Sequence, residues 1–222
     1  TVIAGKRGDQ PVDTGFIVFN HVNYPNLTRL FADLDVPVAK SSMSFAASIN
    51  GGRFEYALND LDALFVQRAN ALRPAYWLFL RDILRFNARG EAVAATDPTM
   101  TVGDLLRRLG TGDWFRDRYI LPFSGAIWST PAQGILDFPA DAMMRFFRNH
   151  ALLGYKGQHQ WWTVRGGSIE YVRRLEAALI RAGVEVRTGA PVAGVRRTPG
   201  GVHVRAEGAE WDSYDEVVFA TH

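Results

Sequence analysis

The chain has 222 residues, 47% hydrophobic and 22% charged, the balance of a soluble globular protein with room for a sizeable core. Its 25 basic residues are scattered among 23 acidic ones, for a net charge of +2 with no basic block, so nucleic acid is not expected as a partner. No cysteine occurs, which excludes disulfides and thiolate metal sites and agrees with a reducing, cytoplasmic setting. No run approaches the roughly 18–20 apolar residues of a membrane span and no charged-then-apolar leader opens the chain, which leaves peripheral membrane contact open.

In chain order, "TVIAGKRGDQPV" predicts a β-ribbon turning over "GKRGDQ", and "PVDTGFIVF" predicts a strand interrupted at Gly15, where a bulge or a close approach is expected. A short helix follows in "NYPNLTRLFADLDV", with Leu27, Leu30, Phe31 and Leu34 at helical spacing behind Pro25. "SMSFAASINGGRFEYA" alternates about Asn50-Gly51-Gly52, a hairpin signal. From Asp60 to about Asn149 the pattern is helical and rich in aromatics, punctuated at Arg73-Pro74, Asp97-Pro98, Gly110 to Gly112 and Thr130-Pro131.

After "WWTVRGG" the rhythm changes. Ser168 stands where a helix N-cap belongs, Ile169, Val172, Leu175 and Leu179 form one stripe, and Gly183 suits a C-terminal cap. "VEVRT", "PVAGVRR", "GGVHVRAE" and "DEVVFAT" predict strands, the middle two joined at Pro199-Gly200-Gly201 and the last buried on both faces. A terminal strand of that kind needs neighbours for its backbone groups, so the sequence is expected to be an excerpt of a longer protein.

These pieces in this order, "PVDTGFIVFN", "YPNL", "RGGSIEYV", "VEVRTGAPVAGV" and "DEVVFATH", resemble the flavin-dependent amine-oxidase and phytoene-desaturase superfamily, and within it a bacterial branch of NAD/FAD-binding amine oxidoreductases. The resemblance implies an α+β architecture: a mostly helical substrate domain with a small antiparallel sheet (residues 41–160), flanked by pieces of a Rossmann-like FAD-binding domain (residues 1–40 and 161–222). It implies FAD as cofactor, with Asp13, Thr14, Gly15 and Phe16 beside the flavin and Gly166 and Gly167 near flavin and substrate. Val192 matches the position that meets the adenine, and Ala220 and Thr221 match a turn near the ADP half.

Two elements of the family pattern have no counterpart: the G-x-G-x-x-G turn with its ribose-binding acid, and the C-terminal segment that closes over the flavin. The lysine that many members hold near the flavin has no match among Lys6, Lys40 and Lys156. The excerpt by itself is therefore expected neither to hold FAD tightly nor to turn over substrate.

The aromatic insert suits an apolar pocket for a small hydrophobic substrate, with Phe45, Tyr56, Trp114, Tyr119, Phe123 and Trp128 as its candidate lining, although such stripes more often form core. His21, His150, His159, His203 and His222 fit no metal spacing, and no metal site is expected. Ser124 lacks the flanks of a nucleophile elbow, and Asp13 suits hydrogen bonding to backbone better than acid–base work, so no catalytic side chain is assigned. The expected parent enzyme oxidises a hydrophobic amine or lipid-like substrate by hydride transfer to flavin. Rival readings are a flavin-dependent sugar-nucleotide mutase, which would demand clustered arginines, and a non-catalytic folding or binding unit.

Overall fold

The computed structural model describes residues 2–6, 8–15, 17–128, 131–154 and 157–221, with the backbone alone for Pro11, Ala132 and Gln133. The fold is mixed α+β, and the chain divides into two compact units, Thr1–Glu170 and Tyr171–His222.

The first unit opens with the expected ribbon, β1 (Val2–Ile3) against β2 (Gln10–Pro11). Among the described residues around Gly15 no regular strand forms, and Phe19 makes an isolated bridge to Trp162. Helix α1 (Pro25–Asp33) begins on Pro25, whose missing N–H costs nothing in a first turn, and buries Phe31. Strand β3 (Val38–Ser41) follows. The hairpin β4 (Ala46–Ile49) and β5 (Phe54–Ala57) pairs Ile49 with Phe54. Its turn needs left-handed backbone, with φ of 54°, 64° and 85° at Asn50, Gly51 and Gly52.

Helical structure then dominates. A short α2 (Leu61–Leu64) and a 3₁₀ turn (Arg68–Leu72) lead into the long α3 (Pro74–Ala94) and then α4 (Val102–Leu109). A continuous helical run follows: α5 (Asp113–Phe115), a π-turn (Arg116–Ile120) and α6 (Leu121–Trp128). Then come α7 (Ala132–Ile135) and α8 (Ala140–Asn149). Strand β6 (Trp161–Val164) returns to pair antiparallel with β3, Val38 opposite Val164 and Ser41 opposite Trp161.

One aromatic-rich core joins the hairpin to the helices. Tyr76, Phe79 and Phe86 of α3, Phe54 and Tyr56 of β5, Phe115, Tyr119 and Phe123 of the central helical run, and Phe147 of α8 are all buried. Some of these rings meet edge-to-face, at centroid separations such as 5.4 Å for Tyr56–Phe79 and 4.8 Å for Phe45–Phe123, while Phe115, Tyr119 and Phe123 stack in succession at 5.3 and 5.4 Å. Asp82, 2% exposed on the inner face of α3, accepts the Gly112 N–H (2.9 Å) and pairs with Arg81 (2.8 Å). A buried carboxylate is tolerable only with such partners.

Helix α9 (Ile169–Arg181) forms as expected, but none of its residues is buried and the stripe Ile169, Val172 and Leu179 stays partly exposed. The second unit carries a three-stranded antiparallel sheet, β7 (Val192–Thr198), β8 (Gly201–Ala206) and β9 (Trp211–Tyr214), in the order β7-β8-β9. Two strand expectations fail here. "VEVRT" is irregular, and residues 215–221 carry no strand, with Val218 and Phe219 88% and 66% exposed. Apolar character alone does not make a strand; a ladder partner is required, and among the described residues neither segment has one.

At the start of α4, Thr101 accepts the Asp104 N–H while the Asp104 carboxylate accepts the Thr101 N–H and hydroxyl, a complete capping box. The Thr101 hydroxyl bond is the chief reason the Asp104 carboxyl sits below the usual carboxylate range. Thr101→Ala should lower stability by about 1 kcal/mol in denaturant titrations at neutral pH. A depressed folded-state pKa gives a contribution that is present above the unfolded value and lost as pH falls through the folded one. The gap between variant and parent should therefore narrow in acid.

Candidate functional site

The segments expected beside the flavin meet in the first unit. Residues 13–19 run antiparallel to β6 and the turn after it, tied at three points. Phe19 and Trp162 exchange both backbone bonds (2.9 and 2.8 Å), Thr163 donates its hydroxyl to the Ile17 carbonyl (2.7 Å), and the Ser168 N–H is donated to the Asp13 carboxylate (3.0 and 3.1 Å to its two oxygens). With β3 on its other edge, β6 becomes the central rail to which residues 13–19 are attached.

The turn needs its glycines. Gly166 and Gly167 have φ of 90° and 88°, a region costly for any L side chain, and the Gly167 N–H returns to the Val164 carbonyl (3.2 Å). A Cβ on Gly167 would stand 3.4 Å from both Asp13 oxygens, so glycine also leaves room for the carboxylate. Asp13 thereby places a negative charge at the start of α9, where the helix dipole and unsatisfied N–H groups favour one. The backbone role expected of Asp13 is what its carboxylate performs here.

Gly15 differs. It is exposed, it has no positive φ, and a Cβ built there would meet nothing within 4 Å. Neither backbone strain nor crowding within the described protein atoms requires glycine at this position. Thr14 is exposed beside it, and the apolar Val12 and Ile17 flank the stretch, both exposed. Phe16 lies outside the described residues.

The other candidates are distributed differently. Val192 opens β7 and is exposed, and Ala220 and Thr221 lie exposed in irregular chain after β9; all three belong to the second unit. Tyr56, Tyr119 and Phe123 are buried within the aromatic core, and Phe45, Trp114 and Trp128 pack partly exposed against it. Burial pushes the Tyr76 phenol up to about 12 and drives Tyr56 and Tyr119 upward as well. These phenols stay protonated near neutrality and cannot serve as bases; Tyr56 donates to the Arg118 carbonyl (2.6 Å) and Tyr76 to the Leu64 carbonyl.

Sequence reasoning missed the cleft of about 460 Å³ between α1 and β3, lined by residues that include Phe19, His21, Thr28 and Phe31. The His21 ring lies 5.1 Å from that of Trp162. Only the β3–β6 pairing sets this arrangement, and four residues of "VAKS" carry no strong strand signal. Among the described residues no group of three or more His, Asp or Glu side chains could hold a metal ion.

Comparison with known proteins gives these features a context. A family model described as flavin containing amine oxidoreductase matches residues 2–222. A search of curated proteins finds no match. Among solved structures, wild-type putrescine oxidase bound to putrescine aligns with a TM-score of 0.63 at 16% identity, over 94% of this chain and 46% of its own. Two variants from the redesign of cofactor binding in that enzyme align over the same shares, with TM-scores of 0.63 and 0.64 at 17% and 18% identity. At such identities the likeness establishes the fold, and the chain spans about half the length of these structures.

Asp13→Ala removes the acceptor from the Ser168 N–H and should destabilise the protein by about 0.5–1.5 kcal/mol, the net worth of one intramolecular hydrogen bond. Asp13→Asn keeps an acceptor oxygen and should recover most of that loss. Denaturant melts of the two variants beside the parent measure both effects.

Proposed function

Since the chain belongs to the flavin-containing amine oxidoreductases, we propose that it is the part of an FAD-dependent amine oxidoreductase that carries the first wall of the flavin site and much of the substrate domain. On this reading residues 1–40 and 161–222 are pieces of a Rossmann-like FAD-binding domain and residues 41–160 are its substrate-binding insert. The observation that carries the proposal is the joining of Asp13–Gly15 to Gly166–Ser168 through the Asp13 carboxylate, with the backbone at Gly15 left open.

Flavin, when bound, would supply the ring that accepts a hydride from the C–H bond on the carbon next to the substrate's nitrogen. The chain's own residues bind, orient and exclude water. Thr14 and Gly15 offer backbone to one ring face, Gly166 and Gly167 hold the facing turn, and Val192, Ala220 and Thr221 serve the ADP half. Phe45, Trp114 and Trp128, backed by Tyr56, Tyr119 and Phe123, form an apolar wall for a hydrophobic amine or a lipid-like chain. Tyr56 and Tyr119 behind that wall are held neutral by burial and add no charge to it, which suits an apolar substrate.

Gly15 separates this role from a purely structural one. In the full-length protein Gly15→Val should leave the melting temperature of the flavin-free form nearly unchanged, because its side chain meets open space. Its flavin content and turnover should fall at least about tenfold, because that space is the proposed approach of the ring. Gly167→Val is the contrast: it should destabilise the protein whether or not flavin is present, through its φ of 88° and its proximity to Asp13. Full flavin occupancy and turnover in a folded Gly15→Val variant would remove the flavin-facing role from this segment.

A further inference from the structure

The helical part of the first unit exposes an apolar and basic surface that the flavin reading leaves unused. We propose that the outer face of α3, with the tip formed by α2 and the 3₁₀ turn, is a docking surface for an anionic lipid bilayer.

Tip and helix form one continuous structure. The Tyr76 hydroxyl donates to the Leu64 carbonyl, the Trp77 indole N–H donates to the Ala71 carbonyl (2.8 Å), and the Phe65 ring lies 5.7 Å from that of Trp77. These contacts hold Leu61, Val66 and Leu72 beside the start of α3, yet all three point away from the core; Leu72 is 86% exposed. Along α3, Trp77, Leu78, Arg81, Leu84, Ala88 and Arg89 are exposed and share one arc at 100° per residue, opposite Tyr76, Phe79 and Phe86. Leu84 is 62% and Trp77 54% exposed, large values for side chains of this size on a folded helix.

Charge selects the occupant. Within α3 the acids are withdrawn from the arc: Asp82 is buried on the inner face against Arg81 and the Gly112 N–H, and Glu91 pairs with Arg148. At the tip Asp60 caps α2 and Asp62 pairs with Arg68. Asp60 and Asp62 stay exposed at the tip, so the excess of positive charge lies along α3, where tryptophan and leucine are interleaved with Arg73, Arg89 and the Asp82-bound Arg81, the composition of an in-plane interfacial helix. Arginines of this kind meet lipid phosphates while their stems lie among the acyl boundary, and the indole suits the headgroup level. At 21 residues α3 is about 30 Å long, but no helix among the described residues is long and apolar enough to cross a membrane, so contact lies along the surface. None of these residues belongs to the flavin or substrate set, and the inference stands apart from that reading.

The test uses the full-length flavoprotein in co-sedimentation with vesicles of phosphatidylcholine alone and of phosphatidylcholine with phosphatidylglycerol. Binding is expected to the anionic vesicles, weakening as salt is raised. The double variant Leu72→Asp, Leu84→Asp and the single variant Arg89→Glu should each reduce vesicle affinity about tenfold or more while melting temperature and flavin content stay at parental values. Failure to bind either vesicle overturns the proposal, as does binding that neither variant weakens. A marked drop in melting temperature in both variants also overturns it, since the surface would then be covered by another part of the chain or by a protein partner. Loss of flavin with vesicle binding retained would count against the flavin reading alone.

Discussion

From 155 positions away the Asp13 carboxylate accepts the backbone N–H of Ser168, the residue just before α9. Ser168 sits where a local cap belongs, yet its own N–H is held by Asp13, and that one interaction joins the start of the chain to the turn that launches α9. A charged acceptor at a helix N-terminus gains from both the dipole and the unsatisfied N–H groups, which makes it a strong tie for its size. The described residues of this stretch form no regular ladder, so the bond acts together with the ties of Phe19 and Ile17 to β6. The paired glycine follows from the same constraint: left-handed backbone at Gly166 and Gly167 turns the chain so that the Ser168 N–H meets Asp13, and Gly167 leaves the carboxylate its space.

That tie also changes how the glycines should be weighed. Gly166 and Gly167, the more conspicuous pair in the sequence, have sufficient internal reasons to be glycine. Gly15 has none among the described atoms, and its surroundings are open. The aromatic residues divide along similar lines. Tyr56, Tyr119 and Phe123 spend their surface on the core, while Phe45, Trp114 and Trp128 retain partial exposure. The partly exposed rings rest on a rigid, ring-packed support, since each buried ring is fixed by several neighbours.

Much of the local structure was legible in the sequence because it is decided by neighbours along the chain. The Asn50-Gly51-Gly52 hairpin, the start of α1 at Pro25, the helical run from Asp60 to Asn149, the ribbon at the N-terminus and the β7–β8 turn all follow from backbone preferences and short-range periodicity. The order of motifs also carried the family, and the expected contact of Asp13 with backbone followed from its residue type. Tertiary structure decided the rest. "VAKS" becomes β3 only because Trp161–Val164 returns to pair with it, and the apolar "VVFA" stays unpaired because no ladder partner reaches it within the described chain. Which glycine is structural, which rings are core and which acids are turned inward depend on contacts between residues tens to more than a hundred positions apart. Periodicity reports the side of an element that prefers burial; what meets that side is a property of the folded chain, where long-range hydrogen bonds and packing make the choice.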